Sequence, residues 1–175
     1  MSSEPISREG YDLLTAEFKF LLEVEKPKVA NEKLVAAALG DRSEKADYQA
    51  AKEKLRHIDK RLFYLNRMLG ASDIIDPSGH SHEKVSFGSS VKILDLDSDD
   101  EIIYTLCGAF EAEAENGLIS IHAPLAKAIL GRSVGEQIVL RLATSQKEFE
   151  ILEIFYKNIF SLKKNIRTQA DFSFS

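Results

Sequence analysis

Residues 48–69 read YQAAKEKLRHIDKRLFYLNRML, and neither proline nor glycine interrupts them. Apolar residues recur there at alternating spacings of three and four: Tyr48, Ala51, Leu55, Ile58, Leu62, Leu65 and Leu69. Such a repeat over three heptads is typical of a coiled-coil seam. The stretch therefore predicts a long helix that packs one apolar edge against a second helix.

The preceding segment has the same pattern on either side of an interruption. Its apolar positions are Tyr11, Leu14, Phe18 and Leu21, followed by Leu34, Val35 and Ala38. Pro27 should bend this helix or interrupt its hydrogen bonding, because proline has no amide proton. Residues 40–43 leave room only for a tight reversal. Residues 1–70 are therefore predicted to form an antiparallel hairpin projecting about 40 Å, at a rise of about 1.5 Å per residue.

After Gly70 the sequence changes to short runs rich in β-forming residues, at 85–94, 101–110, 118–122, 137–142 and 148–156. Turn-forming residues separate these runs. Residues 124–130 predict one short helix, with Pro124 in its first turn and Gly131 at its end. The predicted fold class is α+β. The helical hairpin is followed by a linker (71–84), a small antiparallel β-sheet domain with one short helix (85–157), and a tail of unassigned role (158–175).

The composition predicts a cytoplasmic protein. Of the 175 residues, 44% are hydrophobic and 29% are charged, which is ordinary for a folded chain. The single cysteine, Cys107, cannot form an internal disulfide, and we expect it to be buried and inert. There is no signal segment and no apolar run of about 20 residues, so membrane association is not expected.

The net charge of −5 is unevenly distributed. Up to Leu69 there are 13 basic and 12 acidic residues, and beyond it 10 and 16. Contact with a polyanion is therefore expected in the N-terminal part. A basic stripe follows one face of the second helix, at Lys45, Lys52, Arg56 and Lys60, flanked by Lys54 and Arg61. It could neutralise nucleic-acid phosphates, or it could be a solvated face balanced by Glu53 and Asp59.

Two carboxylates mark the predicted tip of the hairpin. Asp41 and Glu44 are three residues apart, so at the start of a helix they would lie on one face and could share a divalent metal ion. Residues 41–44 also fit a capping box, in which Asp41 accepts from first-turn amides and Glu44 reaches back. The two interpretations are compatible, because one carboxylate oxygen can cap while another stays available.

The sequence contains no complete set of catalytic residues. His80 and His82 flank Ser81 and could bind metal, but we expect both to be exposed to solvent. There is no glycine-rich phosphate loop and no nucleophile–base signature. An autonomous enzyme is therefore not predicted.

Five segments carry a family signature. Residues 39–48 read LGDRSEKADY, and further matching stretches lie at 7–11, 55–61, 119–128 and 134–136. On these segments the chain resembles the Gre family of transcript cleavage and transcription elongation factors, GreB more than GreA. The tip signature of that family is Gly-Asp, then Glu-Asn-Ala-Glu or Glu-Asn-Ala-Asp, then Tyr. Lys45 replaces the usual Asn, and His122-Ala123 replaces Asp-Ser or Asn-Ser.

The resemblance implies a monomeric factor that acts on bacterial RNA polymerase and is not itself a nuclease. An FKBP-like C-terminal domain would bind the largest subunit at the rim of the secondary channel, through Ile121, Pro124 and Leu125. The hairpin would enter the channel. Asp41 and Glu44 would there act as catalytic ligands of a Mg²⁺ ion shared with the polymerase, which cleaves backtracked RNA near its 3′ end. The expected nucleic-acid contacts are Lys52, Arg56, Lys60 and Arg61.

Three alternatives stay open at the level of sequence. A Gre-fold protein could enter the channel without stimulating cleavage, and Lys45 favours this. A prolyl isomerase would follow only from analogy of fold, and a chain without tryptophan offers a poor aromatic pocket. Finally, the acidic tip could be only a helix cap, in which case Asp41→Asn should cost little, because Asn caps about as well as Asp.

Overall fold

The computed structural model describes residues 3–39 and 42–158, and for residues 42–44 it describes the backbone alone. The described chain falls into two compact units. The hairpin unit comprises Tyr11–Ser72, and the sheet unit comprises residues 3–10 together with 73–158. The N-terminal residues thus group with the sheet unit, whereas the sequence suggested that they belong to the hairpin.

The hairpin unit has two helical arms. The first consists of α1 (Arg8–Phe20), a π-helical turn (Leu21–Glu25) and α2 (Lys26–Leu39), and the second is α3 (Arg42–Ala71). The predicted seam is confirmed, because its buried members on the second arm are Ala51, Ile58, Leu62 and Leu65. The first arm buries Leu14, Leu21, Val29 and Ala36. Each large side chain buried in this way stabilises the unit by about 1.5–3 kcal/mol.

The interruption expected near Pro27 takes the form of the π-helical turn. The N–H of Lys26 donates to the carbonyl of Leu21, five residues back. Pro27 has no amide proton for the i to i−4 hydrogen bond of an α-helix. The π-helical turn just before it contains one residue more than an α-helical turn, and the helical arm continues after it. Glu25, the last residue of the turn, is buried, and its Oε1 lies 3.1 Å from Lys54 Nζ.

Strand β1 (Glu4–Ile6) pairs with strand β2 (Ser72–Ile74) in a two-stranded sheet. The N–H of Ile75 then donates to the carbonyl of Ile6 at 2.9 Å, and a 3-10 turn follows at Pro77–Gly79. Regular structure therefore occupies part of the segment predicted to be a linker. A strand of three residues is too short to produce a readable alternation of apolar and polar positions.

The sheet unit is built on five strands: β3 (Ser89–Asp95), β4 (Glu101–Cys107), β5 (Leu118–Ser120), β6 (Gln137–Arg141) and β7 (Gln146–Tyr156). Their order in the sheet is β5-β4-β3-β7-β6. Neighbouring strands are antiparallel, except that β4 and β5 are parallel, with Thr105 opposite Leu118. The parallel pair requires a connection that returns the chain to the same end of the sheet. Residues 108–117, with a 3-10 turn at Ala114–Asn116, provide it.

The core of the sheet unit lies between the sheet and helix α4 (Pro124–Ile129). Its fully buried members include Ile93, Leu106, Ile151, Ala126 and Ile129. The short helix predicted at residues 124–130 is confirmed. It begins at a proline, whose fixed φ suits the first helical turn, and it ends just before a glycine with a φ of 80°.

Within the sheet unit, Glu111 connects the N-terminal segment (residues 3–10) to the strands. Its Oε2 accepts the N–H of Ser7 at 2.7 Å, and its Oε1 accepts the Ser7 hydroxyl at 2.7 Å. The Ser7 Oγ in turn accepts the N–H of Gly10 at 3.0 Å, which caps the start of α1. Nearby, a Cβ added at Gly108 would lie 2.0 Å from the Pro5 carbonyl oxygen, so the segment packs directly against the sheet unit.

Replacing Gly88 with alanine is expected to lower the free energy of unfolding by about 2–4 kcal/mol. Gly88 has a φ of 83°, and an added Cβ would lie 2.2 Å from the Cβ of Pro77. Urea denaturation measures the change. Gly79→Ala is the matched control, because a Cβ there meets nothing within 4 Å. Equal stability of the two variants would contradict the packing described.

Candidate functional site

Of the predicted metal-binding pair, Asp41 falls in the chain between the end of α2 at Leu39 and the start of α3 at Arg42, and Glu44 belongs to the first turn of α3. Asp41 and the side chain of Glu44 fall outside the described residues. Their role as catalytic metal ligands therefore stays a prediction. Lys45 is the first residue of α3 whose side chain is described, and it is exposed to solvent.

A groove of about 520 Å³ lies between α2 and α3 close to the tip. Its lining combines apolar and charged side chains, among them Val35, Leu39, Ala51, Asp47 and Lys54. Ala51, the smallest residue of the seam, is part of this lining, whereas the buried seam residues farther from the tip on α3 are Ile58, Leu62 and Leu65.

Two of the four predicted nucleic-acid contacts are held by carboxylates. The guanidinium of Arg61 donates to both carboxylate oxygens of Glu17, at 2.7 and 3.0 Å, and this hydrogen bonding raises the pKa of Arg61. The pair links α3 to α1. Arg56 donates to Glu53 on its own helix, and that hydrogen bond lowers the pKa of Glu53. Arg61 therefore has a structural partner across the hairpin.

The other two predicted contacts, Lys52 and Lys60, are exposed. None of the ion pairs found among the described residues involves either of them. The acidic residues nearby are engaged elsewhere: Asp59 lies 2.6 Å from Lys26 Nζ, and Glu53 pairs with Arg56. These two ammonium groups, like that of Lys45, are therefore available to an anionic ligand.

The predicted polymerase contacts lie where β5 passes into α4. Ile121 and Leu125 are half-buried and pack against the core, and Pro124 is exposed at the first position of the helix. Beside them, His122 Nε2 lies 2.7 Å from Glu4 Oε2. Core packing on one side and the histidine contact on the other position this loop, and its outer edge faces solvent.

His82 is buried, which corrects the expectation that both histidines are exposed, and His80 is exposed as expected. The Nε2 of His82 lies 2.6 Å from the Pro77 carbonyl oxygen and must donate to it. Its Nδ1 therefore accepts from the Ser89 hydroxyl, at 2.7 Å, and the ring stacks on Tyr156 with centroids 5.1 Å apart. Both ring nitrogens are occupied, so His82 is a structural residue.

One exposed feature of α3 was missed by the sequence reasoning. Phe63 and Tyr64 are 59% and 48% exposed, although Leu62 and Leu65 beside them are buried. The available signal was the heptad register, which places both aromatic residues off the seam. Aromatic side chains that are off the seam and this exposed are candidates for ligand contact.

Three further observations concern the described part of the chain. No three His, Cys, Asp or Glu side chains gather there into a group able to hold a metal ion. None of its helices combines the length and hydrophobicity that crossing a bilayer requires. Cys107 is buried, as expected, and its thiol donates to the Ile119 carbonyl oxygen at 3.5 Å.

Two family models match the chain, one for each region of its fold. The model described as "Transcription elongation factor, N-terminal" matches residues 4–74, and "Transcription elongation factor, GreA/GreB, C-term" matches residues 80–156. The N-terminal match spans the hairpin unit, and the C-terminal match spans the five-stranded sheet.

Individual relatives agree with the family matches. Transcription elongation factor GreA of Helicobacter hepaticus is 48% identical over 159 residues, which cover 91% of this chain and 98% of that protein. GreA of Helicobacter pylori strain 26695 is 45% identical, over 91% of this chain and 97% of that protein. Among solved structures, GreA factor homolog 1 of Thermus thermophilus is 22% identical, with a TM-score of 0.41, over 87% of this chain and 99% of that chain.

These relatives are named GreA, so they do not support the predicted leaning towards GreB. The family itself is shown by both matches, which together cover most of the chain. The chain therefore belongs to the GreA/GreB family and is a transcription elongation factor, not an enzyme in its own right.

Proposed function

We propose that this chain binds RNA polymerase in the cytoplasm, inserts its hairpin into the secondary channel and stimulates Mg²⁺-dependent cleavage of backtracked nascent RNA. The observation that carries the proposal is the long hairpin, which matches the family over residues 4–74 and whose first arm ends at Leu39 and second arm begins at Arg42. The turn and the first turn of α3 contain both predicted tip carboxylates. Cleavage itself is then carried out in the polymerase active site.

The hairpin is long enough to extend into a deep channel. Its second arm has 30 residues, which at about 1.5 Å each corresponds to a length of about 45 Å. Ion pairs connect the two arms at three positions along this length: Arg61 with Glu17, Lys54 with Glu25, and Lys26 with Asp59. Such pairs contribute little to stability, at most about 1 kcal/mol for one like Lys26 with Asp59, in which both side chains are exposed. Their use lies in fixing the register of the two arms, which keeps the tip in place.

Asp41 and Glu44 suit Mg²⁺ by the chemistry of their donor atoms, since this hard cation prefers carboxylate oxygens. Two carboxylates are too few for its octahedral coordination, so this chain holds the ion weakly and the polymerase supplies the other ligands. When bound, Mg²⁺ activates the attacking water or stabilises the leaving oxygen of the RNA phosphodiester. The contribution of this chain is to place the carboxylates, and the isolated protein should have no nuclease activity.

The polymerase contact is assigned to the loop between β5 and α4. Pro124 is exposed, and Ile121 and Leu125 combine a partly accessible surface with anchoring in the core. Such residues keep their positions when they dock, so little conformational entropy is lost on binding. The contact between His122 and Glu4 holds the neighbouring residue of the loop in the same way. The partner surface is proposed to be the largest polymerase subunit at the channel rim.

Reversing the charge of Lys52 should impair the release of long RNA fragments more than the release of dinucleotides. Lys52 lies about 15 Å along the helix from Arg42, the first residue of α3, and so beyond the reach of a dinucleotide at the tip. Complexes backtracked by different lengths, with fragments resolved by size, measure the effect of Lys52→Glu. Lys28→Glu, an exposed charge reversal on α2, is the control. An equal loss on short and long fragments would contradict this GreB-like preference for long RNA.

A second candidate function is regulation of the channel without stimulated cleavage. The observation that favours it is the exposed ammonium of Lys45, next to the predicted metal ligands in sequence. A cation at this position competes electrostatically with a bound metal ion. In that case the factor would occupy the channel and block it.

The experiment that separates the two candidates uses stalled, backtracked elongation complexes in Mg²⁺, with and without the intact chain. Faster cleavage of the RNA 3′ end in the presence of the chain supports the cleavage factor. Binding to polymerase without faster cleavage supports the regulator. A Lys45→Asn variant that gains cleavage activity would then attribute the difference to this side chain.

A further inference from the structure

The two aromatic residues on α3 form an exposed pair with defined geometry. Phe63 and Tyr64 pack edge to face, with ring centroids 5.9 Å apart and an interplanar angle of 69°. More than half of Phe63 is open to solvent. An exposed Phe side chain lacks the stabilisation of about 1.5–3 kcal/mol that burial in a core would provide. The Phe63 ring therefore has a surface that the described residues leave accessible to a ligand.

The face on which Phe63 lies is the face of the basic stripe. At about 100° per residue, five residues fall within an arc of about 80° on α3: Lys52, Arg56, Lys60, Phe63 and Arg67. Lys60 is one turn from Phe63 on the side of the tip. Arg67 is one turn away on the other side, and its guanidinium carbon lies 5.8 Å from the Phe63 ring centroid. The ring is therefore bracketed by two cations.

The charge of this face is positive, and of its four cations only Arg56 is in an ion pair within the described part of the chain. No ion pair among the described residues involves Lys52, Lys60 or Arg67. The two acidic side chains nearest this arc, Glu53 and Asp59, already pair with basic residues. A ligand that covers Phe63 also lies beside these cations. An anionic ligand therefore suits this face better than a neutral one.

We propose that Phe63, together with Arg67, is a stacking platform for an unpaired base of single-stranded RNA, whose phosphates follow Lys60 and Lys52 along α3. Alternating aromatic faces and cations are the elements by which proteins hold single strands, with about 1–3 kcal/mol from each stacked base. The inference deepens the proposed function, because it names where the extruded RNA contacts the hairpin. It concerns an isolated binding step, and so it can fail while the proposed cleavage role stands.

A docking site for an apolar protein surface fits the same residues less well. The helical neighbours of Phe63, three and four positions away, are Asp59, Lys60, Asn66 and Arg67. An apolar partner would have to remove water from these groups without offering hydrogen bonds, which is costly. A nucleotide places its base on the ring and its phosphate beside the cations, so both parts of the surface are matched.

The test measures binding of a fluorescently labelled oligouridine to the isolated full-length chain at low salt. Phe63→Ala should weaken binding by roughly tenfold, which corresponds to the loss of one stacked base. Phe63→Trp should retain it, because tryptophan stacks at least as well. Phe63→Leu keeps an apolar side chain without a flat π-face, and it should bind as weakly as the alanine variant.

Matched controls assign the two parts of the surface. Leu34→Ala removes another exposed apolar side chain, on α2, and should leave binding unchanged. Lys60→Gln should lower the slope of log affinity against log salt by about 0.7, whereas the Phe63 variants should leave it unchanged. The proposal is overturned if Phe63→Leu binds like the intact chain, if Phe63→Ala binds within twofold of it, or if the intact chain binds no RNA.

Discussion

Asp41→Asn is expected to slow stimulated RNA cleavage by on the order of 100-fold, since even partners one step removed from a metal ion often cost ten- to hundredfold when lost. Binding to polymerase should not change, because the proposed contact surface lies in the sheet unit, on the loop around Pro124. Cleavage rates in backtracked complexes, and competition for polymerase between the variant and the intact chain, measure the two quantities separately.

The substitution separates the two interpretations of the acidic tip. Asn caps a helix about as well as Asp, so the start of α3 should be preserved. It cannot provide the charge that a Mg²⁺ ligand contributes. Glu32→Gln is the matched control, because it removes one exposed carboxylate from α2 near the same end of the hairpin. Full activity of Asp41→Asn would show that the carboxylate acts only as a cap.

The hairpin could be predicted from sequence because its information is local. The alternation from Tyr48 to Leu69 and the tight reversal at residues 40–43 sit within a few turns of the residues they organise. The proline signal was also local, and it indicated where the first arm departs from regular geometry. It could not indicate the form of the departure, since a kink and a π-helical turn both accommodate a missing amide proton.

The sheet was predictable strand by strand but not in its pairing. Alternation marks the positions of the strands, whereas the parallel pairing of Thr105 with Leu118 depends on how the connection between them folds. The burial of His82 was missed for a related reason. A polar ring can be buried only when its partners are in place, and these partners, the Ser89 hydroxyl and the Pro77 carbonyl, are set by the fold of the loop.

For the candidate binding surface, sequence identified the basic residues but not their availability. Arg61 and Lys60 are adjacent in the chain, and both carry a positive charge. One donates to Glu17, 44 residues away, and the other has no ion-pair partner among the described residues. Which cation is left for RNA thus depends on contacts between the arms, and only the structure supplies them.

Glu111→Ala is expected to lower the free energy of unfolding of the sheet unit by about 3 kcal/mol, since hydrogen bonds to charged groups contribute about 1.5–3 kcal/mol and unsatisfied buried donors add to the cost. The carboxylate is only 3% exposed and accepts both the N–H and the hydroxyl of Ser7, which is itself buried. Hydrogen exchange of the amides in β3 and β4 reports the stability of this unit directly.

Glu111→Gln is the matched variant, and it should cost only about 1 kcal/mol. Its Oε1 can accept the Ser7 N–H, and its Nε2 can donate to the Ser7 Oγ, so both contacts are kept in neutral form. The order of stability should therefore be intact chain, then Gln, then Ala, with the N-terminal strand β1 losing protection first in the alanine variant. If Ala and Gln are equally stable, the contact with Ser7 does not anchor the N-terminal segment, and packing of Gly108 against the Pro5 carbonyl must hold it instead.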